Sequence, residues 1–363
     1  MGFSWANFAV TQTKFLALIQ MVEYTGTGGL GFWIILLNVG IYLLLTQERK
    51  KYTVIKIFIL FIIPWISGYI QLNSMPPVSP ENIRKVSIVQ PNINPSAKWD
   101  SAFRSELYTI MDSLHFIAQK NNPDLILWPE VSLPVYLRHS VQRKKYEAIV
   151  KESGIPLLTG TLDWKKNEQG EKLYYNGSIF LGKVGNQIYR KLFLVPFAEY
   201  IPFSELIPQV KKLNIGQANF TRGSDYTVFQ LDSIGFSNVI CYESSIPGLV
   251  RKFINQGARF ITIEANDAWS GNTSGVYQHF ELAKLRAVEF RTAVARSGNT
   301  GISGIILPSG RVQTYMGYGR QGVITGKLPL IAEATVYARY GEIFSKFCLL
   351  ITGLIIGLVW LKR

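Results

Sequence analysis

Ser237-Asn238-Val239-Ile240-Cys241-Tyr242-Glu243-Ser244-Ser245-Ile246-Pro247 reads as a short strand that ends on a cysteine and feeds the start of a helix. Such a corner exposes a nucleophile. Backbone N–H groups there can lower a thiol's pKa and bind an oxyanion. A buried, purely structural thiol is the other reading of an isolated cysteine, and the residue alone leaves both open. Working outward, further β-like runs occur at 85–90 (KVSIVQ), 124–129 (DLILWP), 177–182 (GSIFLG), 259–265 (RFITIEA) and 301–308 (GISGIILP). Helical stretches alternate with them at 101–119, 140–152 and 278–290. Strand–helix alternation over this length predicts an α/β domain with a central sheet. No internal repeat or low-complexity tract interrupts it.

The 363 residues carry 38 Lys plus Arg against 24 Asp plus Glu, a net charge of +14, with 48% hydrophobic and 17% charged residues. That balance excludes a disordered chain and leaves a nucleic-acid binder or a membrane protein with cationic surfaces. The apolar residues are bunched into three runs, Gly31 to Leu45, Val54 to Leu72 and Ile343 to Leu361, each near the roughly 20 residues that a spanning helix needs. Asn38 lies in the first, and Pro64 and Gly68 lie in the second. The runs lack a polar face, which favours spanning over three buried helices of a soluble core. The basic loop Gln47-Glu48-Arg49-Lys50-Lys51 and the terminal Lys362-Arg363 belong on the cytoplasmic side by the positive-inside rule. The segment from Asn73 to Glu342 is then expected outside. No cleavable signal peptide is legible. The Pro-rich stretch 73–80 reads as a linker.

Two cysteines exclude a disulfide scaffold and a multi-Cys zinc site, and three histidines without an H-E-x-x-H pattern argue against a metal centre. Residues 26–31 fit G-x-G-x-x-G but lack the preceding strand of a dinucleotide site, so they read as a flexible helix entry. Glu130 follows Leu125-Ile126-Leu127-Trp128-Pro129. A carboxylate just past a buried strand can have a raised pKa suited to a general base, or can be an ordinary loop glutamate. Lys191 sits amid apolar and aromatic neighbours, as a snorkelling residue or as a buried cation with a job. A Glu/Lys/Cys set is chemically coherent: glutamate takes the thiol proton, the thiolate attacks an acyl carbon, and lysine stabilises the oxyanion.

WPE (128–130), RKLFLVPFAEYIP (190–202), CYES (241–244) and NDAW (266–269) occur in that order. They resemble the signature of the nitrilase superfamily. Together with the membrane runs, VQPNINP (89–95) and QHFELAKLRAVEFRTAVARSGNTGISG (278–304), they resemble the apolipoprotein N-acyltransferase family across essentially the whole chain. The resemblance implies a nitrilase-like α-β-β-α sandwich, an α/β domain over 83–342. It is flanked by a membrane region over 1–72, with helices at about 31–45 and 54–72, and by a C-terminal helix at 343–361.

It also implies Glu130 as general base, Lys191 as oxyanion stabiliser and Cys241 as nucleophile. Glu199 and Glu243 match supporting acidic positions, and Tyr242 and Trp269 match aromatic positions lining the site. Packing or surface charge is the plainer reading of those four. No metal or organic cofactor and no nucleic acid is implied. The implied partners are a phospholipid acyl donor, a diacylated apolipoprotein acceptor and the bacterial inner membrane, with the catalytic domain periplasmic. The reaction implied is ping-pong through a Cys241 thioester. The family has about eight membrane helices and this chain three, so the chain is expected to be the C-terminal part either of a longer enzyme or of a split one, in which a separate chain would supply the other helices. Ser270-Gly271 replaces a second aromatic after the NDAW segment, and Glu264 adds a carboxylate upstream. The competing expectations are a membrane-anchored extracytoplasmic amidase or nitrilase on a small substrate, and a non-catalytic fragment or subunit.

Overall fold

Leu125 and Leu127 face one cluster of buried side chains while Ile126, between them, faces another. This period-two division is what a strand does when it is covered on both faces, and it sets the layers of the α/β domain. The computed structural model describes residues 5–46, 50–202, 219–331 and 333–362. The strands are β1 (Ile83–Gln90), β2 (Leu125–Leu127), β3 (Leu157–Lys166), β4 (Lys172–Leu181), β5 (Asn186–Arg190), β6 (Phe229–Leu231), β7 (Ile234–Ile240), β8 (Phe260–Ala265), β9 (Ala293–Gly298), β10 (Ser303–Ile306), β11 (Val312–Met316) and β12 (Gly322–Pro329). The helices are α1 (Leu16–Ile19), α2 (Val22–Thr46), α3 (Lys50–Asn73), α4 (Pro95–Lys98), α5 (Arg104–Gln119), α6 (Val141–Ser153), α7 (Pro247–Asn255), α8 (Ser274–Phe290), α9 (Val336–Tyr340) and α10 (Ile343–Leu361).

Two six-stranded mixed sheets form, ordered β12-β1-β2-β3-β4-β5 and β11-β10-β9-β8-β7-β6. In each, parallel pairs lie at the centre, β1–β2–β3 and β7–β8–β9, and antiparallel strands lie at the edges. The inner faces meet through Val86, Ile88, Leu127 and Phe180 on one sheet and Phe236, Ile240, Phe260 and Ala295 on the other. Outside the first sheet, α5 lays Leu107, Met111 and Leu114 and α6 lays Tyr146 and Val150 against Val89 and Ile126. Ser140 starts α6 by accepting from the Gln142 N–H at 3.2 Å, and Gly154 ends it in the left-handed region at φ 68°. Outside the second sheet lie α7 and α8. The result is an α-β-β-α sandwich, an α/β fold of the nitrilase kind.

The far face of α8 is also covered. Leu282, Leu285 and Val288 pack against Leu18, Ile19, Val22, Leu30 and Trp33. Arg291, at the end of α8, fastens the same junction. It pairs with Glu23 and donates to Gln20 Oε1 (2.6 Å) and Gln71 Oε1 (3.1 Å).

Among the described residues, three helices are long and apolar enough to cross a membrane: Val22–Thr46, Lys51–Asn73 and Ile343–Leu361, with mean hydropathy of 2.0, 2.0 and 2.1. The first two begin earlier than the apolar runs suggest. α2 reaches back through Gly26, whose left-handed backbone (φ 63°) bends the helix where a Cβ would lie 2.4 Å from the Tyr337 ring. The G-x-G-x-x-G segment is therefore a bend against α9 and the start of a helix.

The polar groups in these helices are answered locally. Asn38 donates back to the Ile34 carbonyl at 2.8 Å. Pro64 has no N–H for the Leu60 carbonyl, and Trp33 of α2 donates its indole N–H to that oxygen at 2.8 Å. α2 and α3 thus satisfy these groups between themselves. Gln47, Glu48, Arg49 and Arg363, on which the charge-based orientation leans, lie outside the described residues.

Candidate active site

Three chain segments meet at one end of the sandwich, past the ends of β2, β5 and β7. Glu130 stands in the turn after β2, and the next residue, Val131, is held at φ 44°. A β-branched residue rarely takes that conformation. Gly160 makes the turn possible. A Cβ on it would lie 2.5 Å from the Val131 nitrogen, 2.6 Å from the Glu130 Cα and 2.7 Å from the Pro129 oxygen. Buried Lys98 completes the turn by donating to the Val131 carbonyl at 2.8 Å.

Lys191 follows β5 and is 1% exposed, so its ammonium must find partners. It donates to Glu199 Oε1 at 2.9 Å and lies 3.8 Å from Glu130 Oε1. Glu199 is brought there by a tight loop with Phe197 at φ 65°, and its other oxygen accepts from the Val195 N–H at 2.8 Å. Asn176 of β4 bridges the two carboxylates, donating from Nδ2 to Glu130 (2.8 Å) and to Glu199 (2.9 Å).

Cys241 comes directly after β7 at φ 51° and opens a single 3-10 turn, Cys241–Ser245. Glu243 locks this corner to the end of β5. Its carboxylate accepts from the Ile240 N–H (2.9 Å), the Leu192 N–H (2.7 Å), the Phe193 N–H (3.0 Å) and the Tyr189 hydroxyl (2.8 Å). Burial moves Glu243 up to about 7, against Lys191 and these donors. Because every contact is a donor, the anion is the form the site is built for. On the other side, the Cys241 carbonyl accepts from Ser244 Oγ (2.8 Å) and faces His279 Nε2 (3.0 Å). His279 Nδ1 lies 2.6 Å from Asp267, and Arg296 donates to the second Asp267 oxygen at 2.7 Å. Burial alone would raise Asp267, but Arg296 and His279 hold it well below the usual carboxylate range.

The charges fit a base, a cation and a neutral thiol. Burial raises Glu130, and Lys191 only partly opposes it. Burial would lower Lys191, but Glu199 and Glu130 more than reverse this, so it stays an ammonium. Cys241 remains partly exposed, yet its surroundings push the thiol up, burial first and Glu130 second, with Lys191 opposing. This differs from the lowered thiol that a strand-to-helix corner suggests. One 3-10 turn supplies too little positive field to offset burial beside a carboxylate. The resting site therefore holds Cys–SH, with the Glu130 carboxyl in electrostatic range of it.

Residues 85–336 match the carbon-nitrogen hydrolase family. The apolipoprotein N-acyltransferase of Chlorobaculum tepidum is 30% identical over 97% of this chain and 72% of its own length. That of Geobacter metallireducens is 30% identical over 100% of this chain and 71% of its own. The chain belongs to the apolipoprotein N-acyltransferase family, within the nitrilase superfamily. An amidase from Nesterenkonia sp. AN1 shares the fold at TM-score 0.52 and 16% identity, over 74% of this chain and 97% of that one. Saccharomyces cerevisiae Nit3 shares it at 0.50 and 17%, over 74% and 94%.

In this N-acyltransferase family member, Glu130, Lys191, Cys241, Glu199 and Glu243 fall within one cluster, and Tyr242 is half-buried beside them. Trp269 stands apart on the turn Asp267–Ser270, with 82% of its surface exposed. Phe193 and Phe197 are also exposed. Asn176, His279, Asp267, Arg296 and Lys98 have roles that sequence reading missed. Asn176 and Arg296 sit in strands and His279 and Lys98 in helices, and no residue pattern around them singles out these positions. The available signal was the family resemblance, whose segments 266–269 and 278–304 contain Asp267 and, respectively, His279 and Arg296. Among the described residues no group of three or more His, Cys, Asp or Glu side chains is arranged to hold a metal ion.

Proposed function

We propose that this chain transfers a fatty acyl group from a phospholipid to the N-terminal amine of an S-diacylglyceryl-cysteine in a lipoprotein, through a thioester on Cys241. The observation that carries this reading is the Lys191 ammonium set between Glu130 and Glu199, in electrostatic range of a partly exposed thiol, in a member of this family. Glu130 takes the Cys241 proton as sulfur attacks the ester carbonyl carbon. The carbonyl π electrons move to oxygen, and Lys191 balances that charge. As the intermediate collapses the C–O bond breaks, and the lysophospholipid alkoxide leaves with the proton from Glu130. The acceptor amine then attacks the thioester. Glu130 removes its proton, the amide C–N bond forms, and the thiolate departs and is reprotonated.

Three apolar helices support work at a bilayer surface. Exposed Phe193 and Phe197, in the segment that follows Lys191, suit an acyl substrate better than a small amide. In this reading the chain is a multi-pass protein of the cytoplasmic membrane, and residues 83–342 form the catalytic domain on the periplasmic side. The test is transfer of labelled acyl chains from phospholipid vesicles to a synthetic diacylated lipopeptide by the purified chain. Transfer lost in Cys241→Ala, Glu130→Gln and Lys191→Met is expected. Transfer at the wild-type rate in Cys241→Ala would refute the mechanism.

A further inference from the structure

Glu264 is a buried carboxyl that the acyl-transfer scheme does not use. It lies on β8 with no exposed surface, and no cation pairs with it among the described residues. Its surroundings define where its hydrogen must be. Thr262 Oγ1 donates to Asn238 Oδ1 (2.8 Å), Asn238 Nδ2 donates to Ser178 Oγ (2.8 Å), and Ser178 Oγ donates to Glu264 Oε2 (2.7 Å). The chain of donors runs one way and arrives at Oε2. Glu264 Oε1 is buried and has no partner among the described residues. Asn176 has the complementary defect. Both its amide hydrogens are committed, to Glu130 and to Glu199, and its buried Oδ1 has no donor among the described residues. Asn176 and Ser178 are two apart on β4 and so point from the same face of that strand. Glu264 already reaches that face from the opposite sheet.

We infer that Glu264 is a protonated positioning residue: its Oε1 hydrogen is directed to Asn176 Oδ1, which holds the Asn176 amide with both N–H groups on Glu130 and Glu199. An Asn side chain between two carboxylates must not rotate, because its oxygen would then face an anion. A neutral acid behind it supplies the donor that fixes the orientation, and an ionised one would repel it. Burial, joined by the nearby Glu130, holds Glu264 well above the carboxylate range. The consequence at the site is through Glu130. The Asn176 hydrogen bond lowers the Glu130 carboxyl, as Lys191 and Lys98 do, against the raising effects of burial and Glu199.

The inference rests on Glu130 being the base for Cys241, so the test has one arm that does not. In the first arm, the infrared difference between the wild-type chain and E264Q, in detergent, should show loss of a protonated-carboxyl stretching band that persists from about pH 5 to pH 9. Loss of an ionised-carboxylate band instead would overturn the inference. In the second arm, the pH-rate profile for alkylation of Cys241 by iodoacetamide is compared for three variants. Glu264→Gln keeps a donor toward Asn176 and should keep the acid limb of the wild type. Glu264→Leu removes it, frees the Asn176 amide, and should move that limb to higher pH by about one unit. An unmoved limb in a folded Glu264→Leu variant would overturn the positioning role. Glu130→Gln is the reference: persistence of the limb there would refute the base assignment, while the infrared arm would still decide the protonation of Glu264.

Discussion

Gly160→Ala perturbs the site without touching any reacting group. The new Cβ would meet three backbone atoms of the Glu130 turn at 2.5, 2.6 and 2.7 Å. To restore an ordinary contact of 3.4 Å, the nearest must retreat by 0.9 Å, and none is the tip of a flexible side chain. The turn has little slack, since Val131 is already at φ 44° and its carbonyl is held by Lys98. Overpacking of this kind costs about 1–3 kcal/mol of stability. A displacement near 1 Å of the base from its 2.8 Å contact with Asn176 is expected to slow the chemistry by roughly 10- to 100-fold. The assay is Cys241 alkylation and acyl transfer by the folded variant, with denaturant unfolding alongside. Gly248→Ala, in α7 with nothing within 4 Å of the new Cβ, is the control and should be neutral or slightly stabilising. Wild-type alkylation and stability in Gly160→Ala would refute the claim that this glycine sets the position of Glu130.

Alkylation of Cys241 should fall as pH falls through the raised range of Glu130, because a protonated base cannot take the thiol proton. A rate independent of pH below neutrality would contradict this. Glu199→Gln breaks a buried ion pair with Lys191 and should cost about 3–5 kcal/mol, read from denaturant midpoints; a loss under 1 kcal/mol would count against it. His279→Ala removes the ring facing the Cys241 carbonyl and should slow alkylation about tenfold, with secondary structure by circular dichroism unchanged. A protease site placed in the exposed turn at 167–171 should be cut from the periplasmic face of spheroplasts, and protection there would reverse the proposed orientation.

The parts of the fold that could be read from sequence are those with uniform local texture. β1, β2, β7, β8 and β10 were marked by short apolar or β-branched runs, and α10 by 19 unbroken helical residues that match the third run. β3 was hidden because the positions it turns to the covering helices are Thr159, Thr161 and Asp163, buried polar groups, of which Thr161 and Asp163 find partners at Leu137 and Arg138. β12 was hidden by Gly322, Gly326 and Pro329, which a pairing with all of β1 accommodates at the sheet edge. At the site, Glu130 and Cys241 drew notice after β-like runs and Lys191 by its apolar and aromatic neighbours, and each follows a strand end in the fold. Asn176 and His279 act through contacts spanning 23 to 46 and 12 to 38 residues of sequence, which no local pattern records.

The most direct test of the whole account is the intact mass of the wild-type chain incubated with vesicles of a single defined phospholipid and no acceptor. The account predicts a mass increase of one acyl group, mapped to Cys241, released by hydroxylamine and by a diacylated lipopeptide, and absent from Cys241→Ser. A chain that transfers acyl groups while never carrying one on Cys241, or that carries one which the lipopeptide does not discharge, would contradict it.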